Sequence, residues 1–185
     1  MGESTVAVLD ACVLIPPSLC DTLLRLAEPP SLYAPKWSSE ILDEVVRTLG
    51  SKFAWPPRLT SYLRQELTAA FPMALVTGHE DLVGGLQNDL KDRHVLAAAI
   101  RGYAPIIVTF NLRDFRPEHL APEGVIARHP DAFWLHLLRR NPDEVARRVR
   151  LQAAERDRSL ESMLSSLSRM VPLFAKAVSE HSIPE

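Results

Sequence analysis

Four consecutive segments between Asn88 and Phe115 constrain this chain more than any other part of it. They read Asn88-Asp-Leu-Lys-Asp92, Arg93-His-Val-Leu-Ala-Ala-Ala-Ile100, Pro105-Ile-Ile-Val-Thr109 and Phe110-Asn-Leu-Arg-Asp-Phe115. The second is alanine-rich and apolar, as expected of a helix packed on a sheet. Ile106-Ile107-Val108 is β-branched with no polar alternation, which suits a parallel strand covered on both faces. Ligands of open α/β sheets bind outside the carboxyl ends of the strands. Asn111 and Asp114 follow such an end, and Asp89 and Asp92 stand at the start of the preceding helix, so the acids are set to converge.

The flanking sequence extends this pattern. Val6-Ala7-Val8-Leu9 is an apolar run ending in Asp10, followed after Pro16-Pro17 by an amphipathic segment with Leu19, Leu23, Leu24 and Ala27 on one side. Asp10 has a plain reading as a turn or helix cap, and Cys12 reads as a small buried hydrophobe. Leu32-Tyr33-Ala34 predicts a short strand stopped by Pro35. A helix capped by Ser38 or Ser39 then runs through Ile41, Leu42, Val45, Val46 and Leu49 and closes at Gly50. At about 100° per residue, Glu40 points away from its apolar stripe, toward water or into a capping box. Glu44 and Asp43 flank the stripe, and the helical wheel does not choose between them. Trp55-Pro56-Pro57 opens another helix, Met73–Val76 predicts a strand, and Thr77–Asn88 a polar loop. Gly124–Ala127 predicts a last strand, and Pro130-Asp131 a further helix.

The order strand, helix, strand, helix, helix, strand, helix, strand, strand, helix predicts an α/β domain with a mainly parallel sheet over residues 1–140. Residues 141–185 form a helical C-terminal extension. Its apolar stripe of Leu160, Met163, Leu164, Leu167, Val171 and Phe174 is expected to pack on the chain's own core, with a partner's docking surface as the alternative, and Pro172 to kink or end the helix.

At 46% hydrophobic and 24% charged residues, the chain is of ordinary globular composition rather than disordered. Its apolar runs are too short for a membrane span, and Met1-Gly2-Glu3-Ser4 lacks signal-peptide character. Cys12 and Cys20 match neither a disulfide framework nor a zinc spacing, so a reducing cytoplasmic location is expected. Residues 1–130 carry 12 Lys/Arg against 15 Asp/Glu, and residues 131–185 carry 9 against 8. Within the latter, Arg139, Arg140, Arg147, Arg148 and Arg150 crowd together. They read either as a solvated helix face or as an RNA-phosphate patch, with Arg147, Arg148 and Arg150 the candidate contacts.

Several carboxylates in one cleft repel each other unless a cation compensates. Mg²⁺ or Mn²⁺ prefers oxygen ligands and readily takes substrate phosphate into its shell. Two such ions roughly 3.5–4 Å apart can serve phosphodiester hydrolysis. Taken singly, each acid has a structural explanation; taken together, they suggest a metal site.

Val6-Ala-Val-Leu-Asp10-Ala-Cys, Ser39-Glu-Ile-Leu-Asp-Glu44-Val, Asp89-Leu-Lys-Asp92-Arg-His and Ile107-Val-Thr109-Phe-Asn111-Leu-Arg-Asp114-Phe115 resemble the successive motifs of PIN-domain ribonucleases, above all VapC-type toxins of toxin–antitoxin modules. The resemblance runs from about Val6 to Arg128. It implies a three-layer α/β/α sandwich, Mg²⁺- or Mn²⁺-dependent endonucleolytic cleavage of RNA, and a cognate antitoxin that covers the acidic cleft, with a second copy of the chain as a further candidate partner. Carried over by position, Asp10, Glu44, Asp92 and Asp114 match the metal-site acids, which favours Glu44 over Asp43. Asp89, Thr109 and Asn111 match auxiliary residues of the cleft.

Two other classes fit less well. Haloacid-dehalogenase-like phosphatases carry Asp-x-Asp after the first strand, and Cys12 stands where the second acid belongs. A non-catalytic PIN-like module binding RNA or protein is the alternative; acids at all four positions argue against it.

Overall fold

The computed structural model describes residues 5–181; the Met1–Ser4 stretch considered above and residues 182–185 lie outside it. Among the described residues, five strands form one parallel sheet: β1 (Thr5–Leu9), β2 (Tyr33–Ser38), β3 (Leu75–Val76), β4 (Ile106–Val108) and β5 (Ile126–Arg128), in the order β3-β2-β1-β4-β5. Ala7, Val8 and Leu9, like Ile107 and Val108, are fully buried. Neighbouring strand residues point to opposite faces, so helices cover both faces, and the fold is a three-layer α/β/α sandwich.

The connections are helical. They comprise α1 (Ala11–Leu14), α2 (Pro17–Ala27), α3 (Ser39–Phe53), α4 (Pro57–Ala70), α5 (Arg93–Arg101) and α6 (Pro117–Leu120). Four more helices follow β5: α7 (Pro130–Arg140), α8 (Pro142–Glu155), α9 (Leu160–Leu167) and α10 (Pro172–Glu180). Short 3₁₀ turns span Glu80–Gly85, Leu90–Asp92 and Leu112–Asp114. The chain steps from β1 to β2 to β3 in one direction and then returns to β4 and β5 on the other side of β1. The order thus reverses between β1 and β4, where open α/β sheets leave a crevice at the carboxyl ends.

Several element boundaries differ from the sequence reading. Pro35 does not stop its strand; β2 runs through it, with Pro35 opposite Ala7. Trp37 N–H donates to Ala74 on the β3 side at 3.0 Å, and Pro35, two residues earlier, turns its missing N–H to that same side. There β3 has not yet begun, so no ladder bond is lost. Gly50 does not close α3, which continues to Phe53 before Ala54 takes a left-handed conformation, φ 53°. Pro56 and Pro57 bar further helix, so they set the stop rather than the glycine. The third strand shortens to Leu75–Val76, the last shifts to Ile126–Arg128, and Pro172 separates α9 from α10 by opening the latter. Gly102 is required by close approach: a Cβ there would lie 2.9 Å from both Ala98 O and Val76 Cγ2.

The C-terminal stripe packs inward. Val145, Val149, Met163, Leu167, Val171, Phe174 and Val178 belong to the same buried apolar cluster as the sheet. Asp131, at the start of α7, accepts the N–H groups of Leu173 and Phe174 at 3.0 and 2.7 Å, so it caps α10 from another helix. Gln152 of α8 accepts from Thr22 of α2 at 2.7 Å.

Candidate active site

Leu9 pairs with Val108 in the ladder, so Asp10 and Thr109 are the next residues on adjacent strands, at the point where strand order reverses. Asp10 occupies the N-cap position of α1 but makes no capping bond. Its Oδ2 instead accepts from Thr109 Oγ1 at 2.6 Å and from Cys12 Sγ at 3.1 Å. Thr109 Oγ1 accepts the backbone N–H of Asn111 at 2.9 Å. The buried Thr109 hydroxyl therefore locks one carboxylate oxygen of Asp10 in place. Cys12 is not the inert hydrophobe the sequence suggests. Burial, then the Asp10 carboxylate, pushes its thiol up to about 12, which keeps it protonated as a donor.

Asp92 repeats the pattern on the neighbouring element. It holds the N-cap position of α5 without capping it, is buried, and leaves Oδ2 with no hydrogen-bond partner. Burial pushes its carboxyl up to about 6; Lys91 opposes the shift, and the carboxylates of Asp10, Asp114 and Asp89 add to it. Asp114 approaches from the turn after β4, with its Oδ2 3.4 Å from Lys91 Nζ, which is also 3.8 Å from Asp92 Oδ2. Asp10, Asp92 and Asp114 thus share one electrostatic neighbourhood in which the nearest cation is the exposed Lys91. Asp89 stands apart from that group in its bonding, since its Oδ1 accepts the N–H of Lys91 at 3.2 Å. Asn111 is exposed beside them.

Glu44 and Asp43 line the same cleft with different partners. The Asp43 carboxylate pairs with Arg64 of α4, whereas Glu44 Oε2 lies 3.9 Å from His94 Nε2 of α5. Glu44 and Arg47 face Lys91, Asp92 and His94 across a cleft of about 500 Å³.

Three of the relevant side chains escape the sequence reading or change role. Glu40 neither caps its helix nor simply faces water; it meets the fully buried His79 at 2.5 Å, Oε2 to Nε2. His79 Nδ1 lies 3.8 Å from Glu80 Oε1 and has no hydrogen-bond partner. Among the described residues, ligand atoms of Glu40, His79 and Glu80 lie within 4.8 Å of one another. One nitrogen with two carboxylates fits a divalent cation. No local pattern links a loop histidine to a helix 39 residues earlier.

The basic trio of α8 also divides. Arg148 is buried and donates to the carbonyls of Arg25, Glu28 and Pro30 as well as to Glu144. That corrects its reading as an RNA contact: its buried guanidinium makes four hydrogen bonds within the protein. Arg147 is exposed but bound to Glu144 at 2.7 Å, and Arg150 is half-buried.

Comparison with known proteins bears on this geometry. The chain is 43% identical over 93 residues to a Mycobacterium tuberculosis protein named "Putative ribonuclease VapC50", covering 48% of this chain and 54% of that protein. Over that stretch the chain is similar to a VapC protein. It spans about half the length of the VapC relative it matches. No protein-family model and no solved structure matches it. Among the described residues, no helix is long and apolar enough to cross a membrane.

Proposed function

We propose that this chain is a divalent-cation-dependent endoribonuclease and the toxin of a toxin–antitoxin pair, acting in the cytoplasm to restrain growth or translation. The observation that carries the reading is the buried Asp92, with an unpartnered Oδ2 and a carboxyl raised beside Asp10 and Asp114, in a chain similar to a protein named as a ribonuclease. Crowded carboxylates that outnumber the one nearby cation, Lys91, are the environment that a hard dication relieves.

The donor set fits Mg²⁺ or Mn²⁺: Asp10, Asp92 and Asp114 offer oxygens, with Glu44 holding a second ion or orienting the attacking water. Such an ion, when bound, polarises a phosphoryl oxygen and stabilises the charge that develops on it. Thr109 fixes Asp10 in one orientation, which limits reorganisation on binding. Asn111 and Asp89 line the approach. Residues 1–140 are the catalytic unit, and residues 141–185 brace it through α8 and α10. A cognate antitoxin is the partner that covers the acidic cleft, and a second copy of the chain is a further one.

The test is to incubate antitoxin-free protein with a structured RNA pool in Mn²⁺, Mg²⁺ or chelator, with Asp92→Asn alongside. Fragments from the wild type in either metal, absent in chelator and in the variant, are the expected result. A folded protein that binds neither metal nor RNA would sink the proposal.

A further inference from the structure

A polyanion entering a cleft of carboxylates must be held by cations at its rim, and the structure narrows which ones are available. Lys91 is engaged by Asp92 and Asp114. Arg93 donates to the carbonyl of Asn88 at 3.1 Å, and Arg101 to Asp81 at 2.7 Å. Arg148 is buried at the α2–β2 connection, and that connection leads into the amino end of β2, the edge opposite the acids.

Arg113 and Arg116 differ from all of these, as does Arg47 in the separate cleft of Glu44 and Asp92. Arg113 is exposed, and among the described residues it makes no hydrogen bond or ion pair. Arg116 has only a loose contact with Glu118 at 3.8 Å, both side chains being about two-thirds exposed (66% and 60%). The 3₁₀ turn Leu112–Asp114 carries the first, and the start of α6 carries the second. With Asp89, Asp114 and His119 they line a cleft of about 280 Å³. Asp114 is common to this cleft and to the acid group around Lys91, so the basic rim opens directly beside the proposed metal site.

We infer that Arg113 and Arg116 each hold one backbone phosphate of the RNA strand as it runs past Asp114 toward the cleaved bond. This rests on the nuclease reading above and names the path of its substrate. A guanidinium presents a planar fork that matches phosphate oxygens, and contacts of this kind fix register without reading bases. The arginines attract the strand in the same cleft where Asp89 and Asp114 repel it, and that balance sets where the chain of phosphates lies.

The experiment measures binding rather than cleavage. Asp10→Asn protein in chelator is titrated with a short single-stranded RNA across a range of salt concentrations, alone and with Arg113→Ala, Arg116→Ala or both. Each arginine removed is expected to flatten the slope of log affinity against log salt by about 0.7, the single-strand value per phosphate. In the otherwise wild-type enzyme with Mn²⁺, the double variant raises KM and leaves kcat within about twofold, as loss of uniform binding does. Arg147→Ala with Arg150→Ala serves as the control and leaves the slope in place. An unchanged slope in Arg113→Ala/Arg116→Ala, while the wild type still cuts RNA, overturns the path alone. Absence of both RNA binding and cleavage in the wild type overturns the nuclease reading and the path with it. Both arginines are on the surface, so these variants are expected to keep the parent's circular-dichroism melt.

Discussion

Glu144 on α8 and Asp92 at the start of α5 are carboxylates whose surroundings move them in opposite directions. Glu144 accepts from Arg147 at 2.8 and 2.7 Å and from Arg148 at 2.6 Å, and these guanidiniums hold it down at about 2. The neighbouring α2–α8 contact is built the same way: Arg25 joins Asp21 to Glu155, and Arg156 returns to Asp21. Asp92 is buried with three carboxylates for neighbours, and burial first, then those charges, raise it to about 6. The first region balances its charges within the chain and needs nothing from outside. The second leaves an excess of carboxylates over Lys91 that a proton or an added cation relieves, which is how a binding site differs from a structural ion pair.

The largest effect that tests this contrast is expected at Arg148. Arg148→Ala strips a buried cation from Glu144 and from three backbone carbonyls, and should cost about 3 kcal/mol in chemical denaturation. RNA cleavage per folded molecule should not change. A loss near that of an exposed pair, below about 1 kcal/mol, would break the distinction between the two regions.

A smaller effect sharpens the site side of the comparison. Thr109→Val keeps the shape of the side chain but removes the hydroxyl that donates to Asp10 at 2.6 Å. Mn²⁺ affinity by calorimetry should fall about 10–100-fold, as it does when a ligand loses its orienting partner. Unaltered affinity would mean that Asp10 is held by other means.

The smallest effect is a pair of opposed pH slopes in the metal-free protein. Glu144, lowered from 4.5, contributes stability that is present above about 4.5 and is lost as pH falls through about 2. Asp92, raised from 3.8, does the reverse: the folded state retains a proton that the unfolded chain releases, so stability declines as pH rises from 3.8 to about 6 and is level above that. Urea unfolding of Asp92→Asn should lack the decline between those pH values. If the variant shows the same decline as the wild type, another group is responsible.

Much of this contrast is readable in one dimension. Val6–Leu9 and Ile106–Val108 read as strands because unbroken apolar runs leave no polar face; Asp10 follows the first directly and Asp114 lies in the turn after the second. Asp92 is visible as an acid opening a helix. Its neighbour Asp89 has the same local signature, however, and only the folded chain distinguishes the one that bonds its backbone from the one whose Oδ2 stays without a partner. Arg148 shows the same limit from the other direction. In a run of basic residues it looks like its exposed neighbour Arg147, and its burial depends on a helix packed 120 residues away in sequence from one of its carbonyl partners.

What the sequence determined by itself is therefore the inventory of elements and the position of each acid within its element, because periodicity, β-branching and proline placement act over a few residues. The tertiary structure decided which acids became neighbours, that Thr109 would hold Asp10, that His79 would reach Glu40, and that Arg148 would face inward. Those outcomes follow from strand order and helix docking, which bring together groups 99, 39 and 120 residues apart. Asp92 acquires its charge environment only through such neighbours in space, whereas Glu144 takes its own from Arg147 and Arg148, three and four residues along the same helix.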